Sequence, residues 1–260
     1  MTEVTAPAIH RVMHEIKRRR LQVLRVVDLT PRMRRITLGG PELAGFVSLG
    51  TDDHVKLLFP QNAEQAAALE TLVLGAGKGG PMPEMRDYTP RRYDLDSLEL
   101  DIDFVLHGDG PASTWAEQAK PGQFLHIGGP RGSMIVPDIF DSYLLIGDET
   151  ALPAIARRLE GLAANRKALV VVEVENGKEQ QTLESPAQVN VIWVLREGGK
   201  DNLLATVRQL QVPKDNLYAW VATETKVSRQ IRRVLLDDHG LDEQFVKAVG
   251  YWRAEGSEAE

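Results

Sequence analysis

The chain contains no cysteine. That absence excludes disulfides, thiolate nucleophiles, cysteine-ligated zinc and thiolate-held iron–sulfur clusters. If the protein moves electrons, an organic cofactor must carry them. Positive charge is in deficit: 31 Lys and Arg stand against 37 Asp and Glu, a net charge of −6 over 260 residues. Phosphate backbones need a basic surface, so nucleic acid is not an expected partner. No apolar run approaches the ~18 residues of a membrane span. The opening MTEVTAPAIHRVMHEIKRRRLQVL has no apolar stretch after its basic residues and no small-residue cleavage site. It does not read as a secretory signal. We expect a cytoplasmic protein without a membrane partner.

What is present falls into two halves. The first is rich in short strands: 21–29, 33–40, 54–60, 99–108, and two around a Gly/Pro/Arg turn in 123–137. In 99–108, Leu100, Ile102, Phe104 and Leu106 alternate with Asp101, Asp103 and Val105, a period of two. Such a series suggests an antiparallel barrel or sandwich. Residues 61–83 interrupt it, beginning helix-like and ending in a Gly/Pro stretch. The second half alternates strand and helix: SYLLIG, LPAIARRLEGLAA, ALVVVEVEN, VNVIWVLRE, NLLATVRQL, NLYAWVATE and VSRQIRRVLLDDHG. Near-continuous aliphatic strands alternating with helices predict a parallel sheet covered on both faces. We place the domains at 1–139 and 140–260.

Several motifs invite function. Gly75–Gly80 matches G-x-G-x-x-G, but PMPEM follows, and two close prolines oppose the helix that fingerprint requires. His10 and His14 have a chelating spacing, yet two histidines make an incomplete metal site. We expect no metal centre. Nine Lys and Arg against three acids in residues 1–35 read as a charged surface strand and linker.

Arg86-Asp87-Tyr88-Thr89-Pro90 says more. Pro90 enforces an extended backbone before it. Arginine can fork onto a pyrophosphate, tyrosine can stack on a flat ring, and a hydroxyl can bond a ring nitrogen. His107-Gly108-Asp109-Gly110-Pro111-Ala112-Ser113-Thr114-Trp115 reads as a strand, a glycine turn and a helix start, with Ser113 or Thr114 as the cap. Free N–H groups there favour phosphate. Gly147-Asp148-Glu149-Thr150 follows the first strand of the second half, where nucleotide phosphates commonly sit. Two acids at that place would repel them.

Taken in order, DDHVKLLFP, RDYTP, IDFVLHGDGPASTWA, GPRGS, GDETALPA and the terminal YWR resemble the siderophore-interacting proteins, flavin-dependent ferric-chelate reductases. The resemblance implies a ferredoxin-reductase-like pair of domains: a six-stranded antiparallel barrel binding FAD, then a parallel α/β domain binding NADPH or NADH. It implies that Arg86 meets the FAD phosphates, Tyr88 stacks on the isoalloxazine and Thr89 lies near N5. Asp103, Phe104, Val105 and His107 would line the FAD, with Ala112, Ser113, Thr114 and Trp115 around its pyrophosphate. Asp148, Glu149 and Thr150 would sit in the nucleotide loop. Phosphate charge must then be met elsewhere, with Arg196, Lys226 and Arg229 as candidates. Glu173 and Glu175 end a strand where an acid often reads a ribose hydroxyl.

The implied second substrate is an anionic ferric siderophore. An acidic protein must offer it a local cationic pocket, and Lys56, Arg131, Lys247 and Arg253 are the candidates, the first three converging. Tyr251-Trp252 either covers a ring-binding site or docks the C-terminal segment. Three activities stay open at this point: a ferric-siderophore oxidoreductase acting as a monomer, a flavin reductase with another acceptor, and a non-catalytic siderophore or flavin carrier.

Overall fold

A computed structural model describes residues 8–72, 82–108, 110–197, 199, 202–213 and 215–254. The Gly75–Gly80 stretch lies outside them. The chain divides into two compact units, Met1–Pro137 and Asp138–Glu260.

The first unit begins with β1 (His10–Met13) and β2 (Arg18–Thr30), followed by β3 (Met33–Gly39) and β4 (Val55–Phe59). A short helix, α1 (Ala63–Leu69), precedes β5 (Glu84–Tyr88), β6 (Pro90–Asp94) and β7 (Glu99–Val105). Helix α2 (Pro111–Gln118), β8 (Phe124–Gly128) and β9 (Gly132–Ile135) complete it. Seven of these strands form one antiparallel sheet in the order β5-β4-β8-β2-β3-β7-β6, and β1 pairs with β9. The two edge strands, β5 and β6, are joined by Thr89 alone. One residue spans only about 3.8 Å, so the two edges must meet in space and the sheet must curl. Counted as one bent strand, β5 and β6 make the six strands expected of the barrel. Pro90 sits where the chain leaves one edge for the other, a position that needs no ladder N–H. Inside pack Leu21, Ile36, Leu38, Leu57, Leu100, Ile102, Phe104 and Ile127, and Ala112 and Ala116 of α2 join the same core.

The basic N-terminal segment is woven into this sheet. Arg18, Arg19 and Arg20 belong to β2, which starts three residues before the aliphatic run. Arg18 donates to the carbonyls of Glu70 and Leu72, and buried Arg19 donates to that of Gly129. The two histidines do not converge on a common point. His10 bonds the Ala8 carbonyl, and His14 lies 2.7 Å from Ser133 Oγ. Ser133 also donates to Asp53 at 2.5 Å. Here the carboxylate holds the serine rather than the imidazole, which is the wrong order for a nucleophilic triad. The cluster fastens β9 to the 48–53 loop. Among the described residues there is no group of three or more metal-ligating side chains, and no helix long and apolar enough to cross a membrane.

The second unit contains β10 (Ser142–Asp148), α3 (Leu152–Glu160), β11 (Lys167–Val174), β12 (Gln188–Leu195) and α4 (Leu203–Gln209). It ends with β13 (Leu217–Glu224), α5 (Thr225–Arg233) and β14 (Val246–Trp252). All five strands are parallel, in the order β12-β11-β10-β13-β14. Leu144, Ile146, Val171, Ala219 and Val221 pack with Leu203 and Val207 of α4 and Ile231 of α5. The strand order reverses between β10 and β13, which opens a crevice at their carboxyl ends. Gly147 lies at that point. A Cβ there would stand 2.3 Å from Ala151 Cβ and 2.7 Å from the Ala222 carbonyl, so no larger residue fits.

Candidate functional site

In the first unit the structure gathers the Arg86–Thr89 strand, the end of β7 and the start of α2. The Tyr88 ring lies 4.6 Å from that of Phe104, and Phe104 lies 5.7 Å from Trp115. Burial pushes the Tyr88 phenol well above its ordinary pKa, the Arg86 charge opposing only weakly, so the ring stays neutral. Arg86 is exposed, and its guanidinium pairs with Glu84 at 2.8 Å. An exposed pair of this kind is worth about 0–1 kcal/mol, so a phosphate can displace it. Thr89 is buried, and its hydroxyl makes no hydrogen bond among the described residues.

Helix α2 starts three residues earlier than a Ser113 cap, and four earlier than a Thr114 cap, would place it. Its N-cap is Gly110 at φ +104°, with no side-chain cap and Pro111 in the first turn. Only glycine adopts that backbone readily. Ser113 instead accepts a hydrogen bond from the His107 N–H at 3.0 Å, tying the helix back to the end of β7. The first amides of α2 are therefore open to an anion. Thr114 and His107 are exposed, Val105 and Trp115 half-buried. Phe104 is wholly buried, so only its backbone can face a ligand. Asp103 points to the other side of β7, where Arg35 grips it through two bonds of 2.7 and 2.8 Å. Its carboxylate is committed to that pair, leaving its backbone for any ligand. Stacking ring, fork-shaped cation and uncapped helix start form a donor set that fits FAD.

Lys56 and Arg131 also belong to the first unit and are exposed. Lys56 pairs with Asp87 at 2.8 Å and stands opposite Gly128, three residues before Arg131. Lys247 and Arg253 belong to the second unit.

In the second unit, Asp148 is a buried hub. Its Oδ1 accepts from the Thr150 N–H and hydroxyl at 2.9 and 2.5 Å. Its Oδ2 accepts from the Thr223 hydroxyl at 2.7 Å and the Trp252 indole N–H at 2.8 Å. The carboxylate thus knits β10, β13 and β14 together at the switch point. Sequence reasoning left the role of Tyr251-Trp252 open and missed this hub. The signal available was an acid ending one central strand and a tryptophan ending another. Trp252 is 45% exposed although its N–H is satisfied, so a flat face looks outward.

Glu149 turns inward. Its Oε1 accepts from the Glu175 N–H, and its Oε2 pairs with Arg196. Arg196 also binds Glu173 at 3.1 Å and Glu175 at 3.0 Å. Burial raises the Glu149 pKa, with the Arg196 charge opposing. Arg196, a candidate for phosphate, is held by three carboxylates and is not available for one. Glu173 and Glu175, candidates for a ribose hydroxyl, are part of that clamp. The remaining candidates, Lys226 and Arg229, are exposed at the start of α5.

Comparison with known proteins shows the family. The family model described as siderophore-interacting FAD-binding domain matches residues 22–134, and the one described as siderophore-interacting protein matches 140–255. The NADPH-dependent ferric-chelate reductase of Escherichia coli K12 is 38% identical over 250 residues, 94% of this chain and 96% of that protein. The ferric vibriobactin reductase ViuB of Vibrio cholerae is 32% identical over 244 residues, 90% of this chain and 89% of that protein. The crystal structure of a siderophore utilization protein from T. fusca superposes with a TM-score of 0.84 at 38% identity, covering 97% of this chain and 99% of that one. Solved reductases of much lower identity share the ferredoxin-reductase-like fold. By both family models and by relatives matching almost its whole length, the chain belongs to the siderophore-interacting protein family.

Proposed function

We propose that the protein is an NAD(P)H-dependent, FAD-containing reductase of ferric siderophores. One coincidence carries the reading. The likeness to a protein named NADPH-dependent ferric-chelate reductase spans 94% of the chain, and in the same chain the rings of Tyr88, Phe104 and, from the uncapped helix α2, Trp115 lie in series. When bound, FAD supplies the conversion of a two-electron hydride donor into single electrons. The protein binds and orients. Arg86 and the first amides of α2 would hold the cofactor's phosphates, Tyr88 would stack on its ring, and Thr89 would lie near N5. Asp103, Phe104, Val105 and His107 line the cofactor chiefly through backbone, with Ala112, Ser113, Thr114 and Trp115 around its pyrophosphate. Asp148, Glu149 and Thr150 shape the nucleotide crevice without touching phosphate charge.

Lys56 and Arg131 in the first unit, and Lys247 in the second, are the cations we assign to an anionic chelate. Ferric iron is held by hard oxygen donors. Reduction to the ferrous state weakens that hold and frees the metal. No protein nucleophile or general base is required. The reading includes a monomeric cytoplasmic enzyme with domains at 1–139 and 140–260, and NADPH as the preferred donor. The test is ferrous-iron trapping from a ferric siderophore with FAD-loaded protein and each nucleotide. We expect nucleotide-dependent ferrous iron and a lower KM for NADPH than for NADH. Lys56→Glu is expected to raise the KM for anionic chelates about tenfold while sparing that for the nucleotide, a loss of ~1.4 kcal/mol. Absence of nucleotide-dependent ferrous iron contradicts the proposal.

A further inference from the structure

An open cavity of about 340 Å³ lies in the second unit between α5 and the end of β14. Its lining includes Thr225, Ser228, Arg229, Tyr251, Trp252 and Arg253. Two arginines are among its lining residues, and no acid is. Arg229 and Arg253 are exposed and have no ion-pair partner among the described residues. The helix amides do not supply the positive charge. Glu224 caps α5 by accepting from the N–H groups of Lys226 and Val227. The attraction for an anion comes from the two guanidinium groups, whose forks suit phosphate oxygens.

The cavity sits at the carboxyl edge of a doubly wound sheet, one strand from the switch point. At the usual phosphate position, the end of β10, Asp148 and Glu149 are buried acids whose carboxylates accept from Thr150, Thr223, Trp252, Glu175 and Arg196. Arg196 is clamped by three acids. Arg229 and Arg253, by contrast, line an open cavity. Trp252 is held in place at its border, its N–H bonded to Asp148 and its carbonyl accepting from the Thr225 hydroxyl at 2.9 Å. The volume is near the lower end of the ~300–1,000 Å³ of small-molecule pockets, room for part of a dinucleotide.

We propose that this cavity is the phosphate subsite of the nicotinamide nucleotide, with Arg229 and Arg253 as its cations and Trp252 at its border. The charge usually met at the first strand–helix turn is met here at the β13–α5 turn. Arg253, first considered for the ferric chelate, is reassigned to the nucleotide. The inference rests on the reductase reading. Asp148 acts as a positioning residue, through Trp252.

The test is calorimetric titration of the flavin-loaded full-length protein with NADP⁺ and, separately, NAD⁺, accompanied by tryptophan fluorescence. Arg229→Gln and Arg253→Gln are each expected to weaken NADP⁺ binding about tenfold, the scale of one lost charge-assisted contact. Arg208→Gln, an exposed charge on α4, is expected to leave binding unchanged. Equal losses for NAD⁺ assign the cavity to the pyrophosphate, and losses confined to NADP⁺ assign it to the 2′-phosphate. Trp252→Phe is expected to abolish most of the fluorescence change on nucleotide addition. Double-variant binding within twofold of wild type overturns the subsite alone. So does a raised KM for the ferric chelate with nucleotide binding intact. Failure of the wild-type protein to bind either nucleotide overturns the reductase reading with it.

Discussion

Tyr88 and Asp148 show how single residues carry different burdens in the two units. Tyr88 contributes a ring, and its hydroxyl is kept neutral by burial. Tyr88→Ala is therefore expected to weaken FAD binding by about tenfold to a hundredfold, the value of ~1–3 kcal/mol of ring stacking, as read by flavin fluorescence on dilution. Tyr88→Phe should retain most of that affinity, and no activity change below pH 10 should trace to its phenol. Asp148 contributes a carboxylate that answers four donors. Asp148→Ala leaves the Thr223 hydroxyl and the Trp252 N–H unpartnered, and we expect a loss of ~3 kcal/mol in chemical denaturation. The identity of both residues was legible in the sequence, and so was the chemistry of Arg86 and Tyr88. The partners of Asp148 were not, because Thr223 and Trp252 reach it only after three parallel strands have aligned.

At the scale of elements, alternation and aliphatic runs located most strands but not β1, β6 or β14, since periodicity is a local property and these segments lack it. The closing of the barrel is non-local. Nothing in RDYTPRRY states that its two halves pair with β4 and β7 at opposite edges of one sheet. The start of α2 was misplaced because serine and threonine are strong caps in isolation, whereas here Gly110 and Pro111 set the turn and Ser113 serves His107. The Arg196 clamp, which joins the ends of β10, β11 and β12, was equally hidden. It has a consequence for pH. The folded pKa of Glu149 is raised, so the folded state holds its proton more tightly than the unfolded chain. This group's contribution is then most favourable below the ordinary glutamate value of about 4.3 and declines as pH rises through the folded value. Comparing denaturation across that interval, Glu149→Gln should lose the decline that wild type shows. Near the carboxyl end of β10, Gly147→Ala drives a methyl into Ala151 and the Ala222 carbonyl, and we expect ~1–3 kcal/mol of destabilisation in thermal unfolding.

The whole molecule combines a net charge of −6 with no cysteine, and both facts bear on its chemistry. An acidic protein that handles an anionic chelate must concentrate its cations, so raised ionic strength should increase the KM for that substrate. A chain without thiolates leaves the flavin as the expected redox centre. The central claim is that electrons pass from the nicotinamide nucleotide through that flavin to iron. An anaerobic titration of the FAD-loaded protein tests it most directly, with visible flavin absorbance followed beside a ferrous-iron trap. NADPH is expected to bleach the flavin. A ferric siderophore is then expected to restore its colour, with two ferrous ions trapped per nucleotide consumed. A flavin that stays oxidised with NADPH, or one that NADPH bleaches and the ferric siderophore leaves reduced, contradicts the account.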